Sequence, residues 1–506
     1  MVSNQINSIT HNCGIAAIFA PGHDVSSLML SLLYTLQHRG QEGSGMWVSN
    51  GKQGQYYKGV GWAKQVFTPE IINNLSSINP IAAIGQDRYS TSGDANAWQP
   101  FIDSNLALAH NGNFTNALEL LGLLPVALQK KVESDTWIAH QLIINNKSDN
   151  LIDKIKDSVI KFEGAYNLVM EYEGKIYVVR DPWGFRPLVI GRLKDDSGYV
   201  VASESAAFGP IDAKFIREVR EGECLVIDEK GIKTFFIDSR TKPHNISHCV
   251  FEFIYLSAPD SIIFNKHVSE VRYECGRSLA LEDTKNGFLP EIIIPILGSG
   301  GAYGQGYAEE MIRQVCLQPS QFGISQEDLP DIAASLVPKT GLVTNYYSGR
   351  IFISPKFREN ASILKHRVNE IDIRGKKVLV VDDSLVRGTT AKKITSILKN
   401  SGAAEIHWRI ASPPIKNPCY MGVDFATKKE LIFNEAQENI EVLKELIGGA
   451  DSLRYLTHKQ LISAITGKDI SITGNDESEF YVKTKHCGAC FTGRYPLNIK
   501  GTFKKN

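Results

Sequence analysis

The chain has 506 residues, and its 55 Lys and Arg residues are balanced by 55 Asp and Glu residues. This length exceeds the ~250–300 residues at which a single hydrophobic core stops growing, so we expect more than one domain. The charge balance, without blocks of like charge, argues against a nucleic-acid or membrane-surface partner. The longest apolar run, at 291–297, is far shorter than the ~20 residues of a membrane-spanning helix.

Residues 1–12 contain neither the basic segment nor the apolar run of a secretory signal, so we expect a cytoplasmic protein. Disulfides are rare in that compartment. The eight cysteines are therefore expected to be catalytic, metal-bound or free and buried.

The N-terminal half of the chain combines strand and helix patterns. Strands are predicted at 14–19, 164–170 and 175–180, and helices at 26–37 and 136–145. We interpret this part as a layered α and β domain. The segment 235–248 has few apolar residues and a proline, which is typical of a connection between domains.

A second unit follows that connection. Continuous apolar runs at 292–297, 378–381 and 406–410 alternate with helical patterns, which predicts a parallel sheet covered on both faces. The C-terminal tail carries a cysteine pair of its own.

Cys13 opens the run Cys13–Ala16. A cysteine at the N-terminus of a mature chain supplies a thiol nucleophile and an α-amino base within one residue, and this chemistry would require removal of residues 1–12. The alternative is a small buried cysteine beside a strand.

Arg88 and Asp135 are candidates for holding the two charged ends of a free amino acid. The alternatives are a surface ion pair for Arg88 and a helix N-cap for Asp135. Between them, Asn111 and Gly112 offer an amide and a flexible backbone N–H that could converge on a developing oxyanion, with an ordinary turn as the alternative.

Together with the run Leu36–Gly43, these motifs resemble the class II glutamine amidotransferases of the N-terminal-nucleophile fold. The runs Arg180–Pro187 and Ala202–Ser205 narrow the resemblance to the glutamine phosphoribosylpyrophosphate amidotransferase family. The resemblance implies a four-layer αββα glutaminase domain and a propeptide at 1–12. It implies these roles: Cys13 as the nucleophile, Asn111 and Gly112 as the oxyanion hole, and Arg88, Asp135 and Gly40 as the glutamine site.

An apolar strand also runs into Asp382 and Asp383, followed by Ser384–Thr390. Paired carboxylates suit ribose hydroxyls, while backbone N–H groups, threonine hydroxyls and a helix start suit a phosphate dianion. A plain strand-to-helix turn is the alternative. The order of these residues resembles the signature of type I phosphoribosyltransferases.

That resemblance implies a phosphoribosyl pyrophosphate site with Mg²⁺ held by Ser299, Asp382 and Asp383. The implied substrate-binding residues are Ser299, Arg350, Lys365, Asp382, Asp383, Ser384, Val386, Arg387, Gly388, Thr389 and Thr390. The chain departs from the family pattern at Gly298, where an aspartate is common, and it is longer than expected between about 312 and 339.

Cys487 and Cys490 are spaced as half of a zinc site or as a redox pair. Cys249 and Cys419 stand where the cluster-bearing branch of the resembled family has its other ligands. The resemblance therefore implies a structural [4Fe-4S] cluster held by Cys249, Cys419, Cys487 and Cys490.

The resemblance predicts a class II glutamine amidotransferase domain at 13–245, a type I phosphoribosyltransferase domain at 246–450 and a C-terminal extension at 451–506. It implies transfer of glutamine-derived ammonia to phosphoribosyl pyrophosphate, the first step of purine synthesis, by a homotetramer inhibited by purine nucleotides. Two alternatives stay open. One is a related amidotransferase with a different phosphorylated acceptor, and the other is an inactive regulatory homologue.

Overall fold

The computed structural model describes residues 13–88, 98–296, 298, 300–339, 342–344, 366–368, 370–423, 425 and 427–500. None of the helices within those ranges combines the length and the apolar character needed to span a membrane.

The N-terminal part consists of antiparallel strands and short helices. The strands are β1 (Gly14–Phe19), β2 (Gly43–Ser49), β3 (Gly54–Val60), β4 (Ala82–Arg88), β5 (Phe101–Asp103), β6 (Leu106–Phe114), β7 (Gly164–Tyr172), β8 (Lys175–Arg180), β9 (Val189–Leu193), β10 (Tyr199–Ala202), β11 (Ala213–Glu218), β12 (Glu223–Asp228) and β13 (Gly231–Ile237). The helices are α1 (Val25–Leu36), α2 (Ala63–Val66), α3 (Pro69–Ser76), α4 (Ala117–Gly122), α5 (Val126–Gln129), α6 (Asp135–Ile144) and α7 (Leu151–Val159), with a 3₁₀ helix at Ser205–Ile211.

These strands form two sheets that pack face to face. The first has the order β11-β9-β10-β1-β4-β2-β3, and the second has the order β13-β12-β8-β7-β6-β5. Because side chains alternate along a strand, β1 directs Ile15 and Ala17 into the core between the sheets, and Ala16 and Ile18 into the core under α1. A third core lies between the second sheet and α6 and α7. This is the predicted four-layer αββα fold.

The second unit is built on a parallel sheet of order β17-β20-β21-β22. Apolar side chains of its strands pack on both faces of the sheet. Ile292 and Ile294 belong to the core on one face, and Ile293 belongs to the core on the other. The parallel sheet predicted from the continuous apolar runs is therefore confirmed. The remaining strands are β14 (His248–Cys249), β15 (Ile262–Ile263), β16 (Lys266–His267), β17 (Ile292–Pro295), β18 (Leu342–Thr344), β19 (His366–Val368), β20 (Lys377–Asp382), β21 (Glu405–Ile410), β22 (Ser452–Tyr455) and β23 (His486–Cys487).

Helices surround this sheet. They are α8 (Val268–Lys285), α9 (Gly301–Leu317) and α10 (Leu329–Ser335), followed by Glu370–Ile373, Thr389–Asn400, Ile432–Glu435, Ile440–Leu446, His458–Thr466, Ser478–Lys483 and Ala489–Thr492. A π-helix spans Glu252–Leu256, and 3₁₀ helices span Pro319–Phe322 and Lys428–Glu430.

Two differences from the sequence-based expectation concern element positions. Residues 235–237 of the predicted connection are the end of β13, where Phe236 and Ile237 pair with Cys224 and Glu223 of β12. The strand β22 lies just past residue 450, so the parallel sheet continues into the segment expected to be the C-terminal extension. β22 has only four residues, two of them polar or charged, which is too weak a pattern to detect.

Candidate active sites

Cys13 lies immediately before β1 and is fully buried. Gly14 pairs with Asp87 of β4, so Cys13 comes beside Arg88 at the end of that strand. The Ile15 N–H donates to Ser203 Oγ at 3.0 Å, which ties β1 to the start of the 202–205 run. The candidate nucleophile is therefore carried by a strand that is fixed on both sides.

Arg88 is the last residue of β4 and is 1% exposed, so the surface ion pair considered as an alternative is wrong. Its guanidinium carbon lies 5.1 Å from the centroid of the Trp98 ring. Gly40 packs directly against this strand end, since a Cβ at Gly40 would lie 2.5 Å from the carbonyl carbon of Asp87. Only glycine permits the loop at 37–42 to approach so closely.

Asn111 and Gly112 lie in β6 rather than in a turn. Gly112 has a φ of +148°, and a Cβ there would lie 1.9 Å from the Ala165 carbonyl oxygen, so no other residue fits. Asn111 is fully buried, and within the described ranges neither its Nδ2 nor its Oδ1 has a hydrogen-bond partner. A buried amide without protein partners is suited to a ligand that supplies them.

Asp135 begins α6, but Ser134 is the residue that caps the helix, accepting from the Trp137 N–H at 3.1 Å. One Asp135 oxygen accepts from the Phe114 N–H at 3.2 Å, which fixes the carboxylate beside the end of β6. Asp135 is 1% exposed. The structure thus places Cys13 and Arg88 together at the first sheet, and Asn111 on β6 of the second sheet, whose end the Asp135 carboxylate of α6 contacts.

Sequence reasoning missed several buried polar groups in the same region. Gln41 Oε1, Gln86 Oε1, Asp87 Oδ2 and Asn167 Oδ1 all lack hydrogen-bond partners among the residues described. Burial raises the pKa of Asp87 well above its usual value, although Ser44 donates to this carboxyl. The sequence signal for Gln86 and Asp87 was their position directly before Arg88. The signal for Asn167 was a polar residue within an apolar strand.

The second candidate site lies at the carboxyl end of β20. Asp382 and Asp383 are both buried, and burial together with the neighbouring Asp383 raises the pKa of Asp382 well above its usual value. Gly388 has a φ of +68° and precedes the helix Thr389–Asn400, whose first N–H groups are available at that end. The side chains that lie toward solvent on this turn are Arg387, Thr389 and Thr390. Ser384 and Val386 are half-buried beside them.

The loop after β17 reaches the same edge of the sheet. A Cβ at Gly300 would lie 2.6 Å from the Ile296 backbone and 2.9 Å from the Val381 carbonyl oxygen. Gly298 has a φ of +99°. The predicted substrate-binding residues Ser299, Arg350 and Lys365 lie outside the described residues.

The four candidate cluster cysteines line one small, largely enclosed cavity together with Phe251, Met421, Val423, Phe425, Ala489 and Tyr495. Cys249 and Cys487 are register partners in the parallel pair of β14 and β23. Burial raises the pKa of Cys249 to about 11, and the nearby Arg186 guanidinium acts in the opposite direction. Among the residues described, no group of three or more His, Cys, Asp or Glu side chains is arranged to hold a metal ion.

Arg186 links this cavity to a buried charged network. Its guanidinium donates to the Met421 carbonyl at 2.9 Å and to Glu252 Oε1 at 3.0 Å. Glu204, at the end of the 202–205 run, accepts from the Arg39 Nε at 2.6 Å. The network therefore runs from the loop beside Arg88 to the cysteine cavity.

Comparisons with known proteins match both domains. A glutamine amidotransferase domain family matches residues 86–210, and a phosphoribosyl transferase domain family matches residues 330–424. The amidophosphoribosyltransferase of Mycobacterium tuberculosis is 36% identical over 516 residues, covering 98% of this chain and 88% of its own. The amidophosphoribosyltransferase of Rattus norvegicus is 33% identical over 542 residues, covering 98% and 99%.

A solved structure is similar over almost the whole chain. It is the glutamine phosphoribosylpyrophosphate amidotransferase from B. subtilis complexed with ADP and GMP, which is 34% identical and has a TM-score of 0.78, covering 96% of this chain and 98% of its own. The fold, the two domain families and this level of identity lead to one conclusion: the chain belongs to the amidophosphoribosyltransferase family.

Proposed function

We propose that the chain transfers ammonia from glutamine to phosphoribosyl pyrophosphate, giving 5-phosphoribosylamine, glutamate and pyrophosphate, in the first step of purine synthesis. Its family membership supports this reaction. The observation that carries the proposal is the presence, in one chain, of a buried Asn111 amide without a hydrogen-bond partner among the described residues and of a carboxylate-and-threonine turn at the end of a parallel sheet.

In the first half-reaction, the Cys13 thiol attacks the carboxamide carbon of glutamine. The α-amino group freed by removal of residues 1–12 takes the thiol proton and passes it to the departing ammonia. Water then hydrolyses the thioester to glutamate. The Asn111 amide and the Gly112 N–H stabilise the oxyanion. Charge-assisted bonds from Arg88, beside Gly40, and to Asp135 hold the two ends of glutamine.

In the second half-reaction, ammonia attacks C1 of the sugar and the bond from C1 to the pyrophosphate oxygen breaks. Asp382 and Asp383 bind the ribose hydroxyls, and the turn Ser384–Thr390 binds the 5′-phosphate through its N–H and hydroxyl groups. Two adjacent buried carboxylates also suit a hard divalent cation. Mg²⁺ bound there would neutralise the diphosphate leaving group.

A structural [4Fe-4S] cluster held by Cys249, Cys419, Cys487 and Cys490 is the second part of the proposal. The four thiols line one cavity, and the pKa of Cys490 is raised by burial and by the nearby thiols of Cys249, Cys419 and Cys487. Four cysteine thiolates are the ligand set of such a cluster. Glutamine transfer involves no electron flow, so the cluster would tie β14, the sheet domain and the C-terminal segment together.

Regulation by purine nucleotides and assembly into a homotetramer complete the proposal. The solved B. subtilis relative was complexed with ADP and GMP, which supports a nucleotide-responsive enzyme. The resemblance to the family supports the tetramer.

One assay tests the reaction directly. Glutamine, phosphoribosyl pyrophosphate and Mg²⁺ are supplied to the purified enzyme, and glutamate and pyrophosphate are measured in parallel. We expect the two products in equal amounts. Glutamate release without any consumption of phosphoribosyl pyrophosphate would contradict the proposed acceptor and favour another phosphorylated acceptor.

A further inference from the structure

Arg88 has a different neighbour on each side in the first sheet. Its register partner on β2 is Gly43, and Cys13 comes beside it on the β1 side. Side chains alternate along a strand, and Ile84 of β4 and Trp47 of β2, each four residues away, belong to the core between the two sheets. Arg88 therefore faces the layer between the sheets, and Gly43 contributes no side chain beside it.

The ring of Trp98 fills the space that Gly43 leaves. A Cβ at position 43 would lie 2.1 Å from Trp98 Cζ3, so a larger residue there would displace the ring. The Arg88 guanidinium carbon lies 5.1 Å from the centroid of the same ring, and Arg88 is buried. A guanidinium within about 6 Å of an aromatic centroid is attracted to the ring, and more strongly where water is excluded. Trp98 thus gives the buried Arg88 side chain an aromatic face to pack against.

Hydrogen bonds fix the backbone that carries this ring. The Trp98 carbonyl accepts from Lys58 Nζ of β3 at 3.1 Å. The next residue, Gln99, is buried; its Oε1 accepts from the His110 N–H at 2.6 Å, and its Nε2 donates to Thr136 Oγ1 at 3.0 Å. Since Lys58 belongs to the first sheet and His110 to the second, this segment is anchored to both sheets. A side chain held in this way is suited to orienting a neighbouring one.

We propose that Trp98 is a positioning residue for the glutamine site: its ring holds the Arg88 guanidinium in the orientation that binds the α-carboxylate of glutamine, and it thereby contributes to selection of that carboxylate. This inference rests on the proposed role of Arg88. A guanidinium pairs with a carboxylate through two parallel N–H···O bonds, so the strength of binding depends on the orientation of its planar fork. Trp98 itself does not touch the reacting atoms.

Two substrates test the proposal in the full-length mature enzyme, with phosphoribosyl pyrophosphate and Mg²⁺ present. One is L-glutamine, and the other is L-glutamine α-amide, in which a neutral carboxamide replaces the α-carboxylate; the hydrolysed product of each is measured. Trp98→Ala is expected to lower kcat/KM for glutamine by about 10-fold, mainly by raising KM, and to change kcat/KM for the α-amide by less than about 2-fold. Equal losses with both substrates, or no loss with glutamine, would overturn the proposal.

Trp98→Phe and Trp98→Leu separate the aromatic face from the bulk of the side chain. Phenylalanine keeps a ring beside Arg88 and is expected to stay within about 3-fold of the wild type for glutamine, whereas leucine fills space without a ring and is expected to behave as Trp98→Ala does. Equal kcat/KM values for the two variants would reduce the role of Trp98 to packing and overturn the proposal. Synthesis from free ammonia reports on folding in every variant, so this pair decides the question even if Trp98→Ala does not fold.

Arg88→Ala separates a failure of this inference from a failure of the proposed function. It is expected to lower kcat/KM for glutamine by about 100-fold and to affect the α-amide much less, because the bonds to the carboxylate are lost. Adding Trp98→Ala is expected to cause no further loss with glutamine, whereas additive losses would overturn the proposal. If Arg88→Ala affects both substrates equally, the glutamine-binding role of Arg88 fails and this inference with it. If Arg88→Ala is selective and Trp98→Ala is not, only this inference fails.

The matched control is Trp183→Leu. Trp183 is another tryptophan of the N-terminal part with an arginine against its ring, since the Arg240 guanidinium carbon lies 5.6 Å from the ring centroid. The variant is expected to lower stability while leaving the ratio of kcat/KM for the two substrates unchanged. A selective loss with glutamine equal to that of Trp98→Leu would show that the effect is not specific to the ring beside Arg88, and would overturn the proposal.

Discussion

Arg39 Nη2 donates to Glu252 Oε2 at 2.6 Å, and the side chains of both residues are completely enclosed although 213 positions separate them in the chain. Burial alone would raise the pKa of Glu252, but Arg39 and Arg186 lower it below its usual value, so the carboxylate stays ionised. The pair joins the loop beside Arg88 to the segment that follows Cys249.

Glu252→Ala should destabilise the protein strongly. It would leave the guanidinium groups of Arg39 and Arg186 buried without their carboxylate, and breaking a buried pair in this way lowers the free energy of unfolding by about 3–5 kcal/mol. Urea unfolding followed by tryptophan fluorescence measures the change. Glu441→Ala, at an exposed position, is the control and should change stability by less than about 0.5 kcal/mol. A similar small change for Glu252→Ala would show that the pair contributes little.

Cys13→Ala should abolish glutamine-dependent synthesis while leaving synthesis from free ammonia. In the proposed reaction the thiol is needed only to release ammonia, and the proposed acceptor site lies at the parallel sheet of the second unit. Steady-state rates with each nitrogen source check this, and loss of both would mean that the two halves are not separable. N-terminal sequencing should show that the active wild-type chain begins at Cys13; a retained leader in fully active protein would contradict the amine base.

Gly112→Ala should eliminate glutamine turnover and destabilise the glutaminase domain. The added Cβ would collide with the Ala165 carbonyl at a positive φ, so β6 must shift beside the oxyanion hole. We expect a fall in glutamine-dependent kcat of more than about 100-fold. Gly122→Ala, where the added Cβ meets open space, is the control for both activity and stability. Normal turnover by Gly112→Ala would place the oxyanion hole elsewhere.

Cys249→Ser should prevent binding of the proposed cluster. Anaerobically purified wild-type protein is expected to be brown and to contain about four iron atoms per chain, with both properties lost in the variant. Metal analysis and visible absorbance measure this. Cys275→Ser is the control, because Cys275 of α8 is buried but does not line the cavity, so its replacement should leave the iron content unchanged. Colourless wild-type protein containing zinc would contradict the cluster.

His140 should make the protein sensitive to mild acid. Burial lowers its pKa, while its Nε2–H donates to the Leu106 carbonyl at 3.0 Å. Because the folded pKa lies below the unfolded value of about 6.5, the stabilisation is complete above that pH and is lost as the pH falls, at up to about 1.4 kcal/mol per pH unit.

Urea midpoints at about pH 7.5 and about pH 5.5 measure this loss. His140→Gln keeps a donor and should lose less stability between the two conditions than the wild type does. The exposed His244→Gln is the control and should behave as the wild type. Identical pH dependence in all three proteins would rule out a contribution from His140.

Much of the fold could be predicted because buried strands are recognisable in the sequence as runs of apolar residues. β1, β7, β8 and the central parallel strands were recognised for that reason, and the helix after Gly388 from its strand–turn–helix order. β22 was missed because Leu453 is its only aliphatic residue and parallel pairing with β21, a tertiary contact, stabilises it.

The candidate sites were predictable only in part. Resemblance identified Cys13, Arg88 and Asp135, but Asn167 was missed because its position opposite Asn111 depends on strand register, which local sequence does not reveal. The spacing of Cys487 and Cys490 suggested a ligand pair, while the approach of Cys249 required the pairing of β14 with β23.

That pairing also orders events during synthesis on the ribosome. β14 emerges more than two hundred residues before β23, and at the usual ~5–20 residues per second the earlier strand waits on the order of 10–50 s for its partner. A nascent chain that stops before residue 487 therefore lacks two of the four cysteines of the cavity. Binding of the proposed cluster would accordingly have to wait until β23 has been synthesised and has paired with β14.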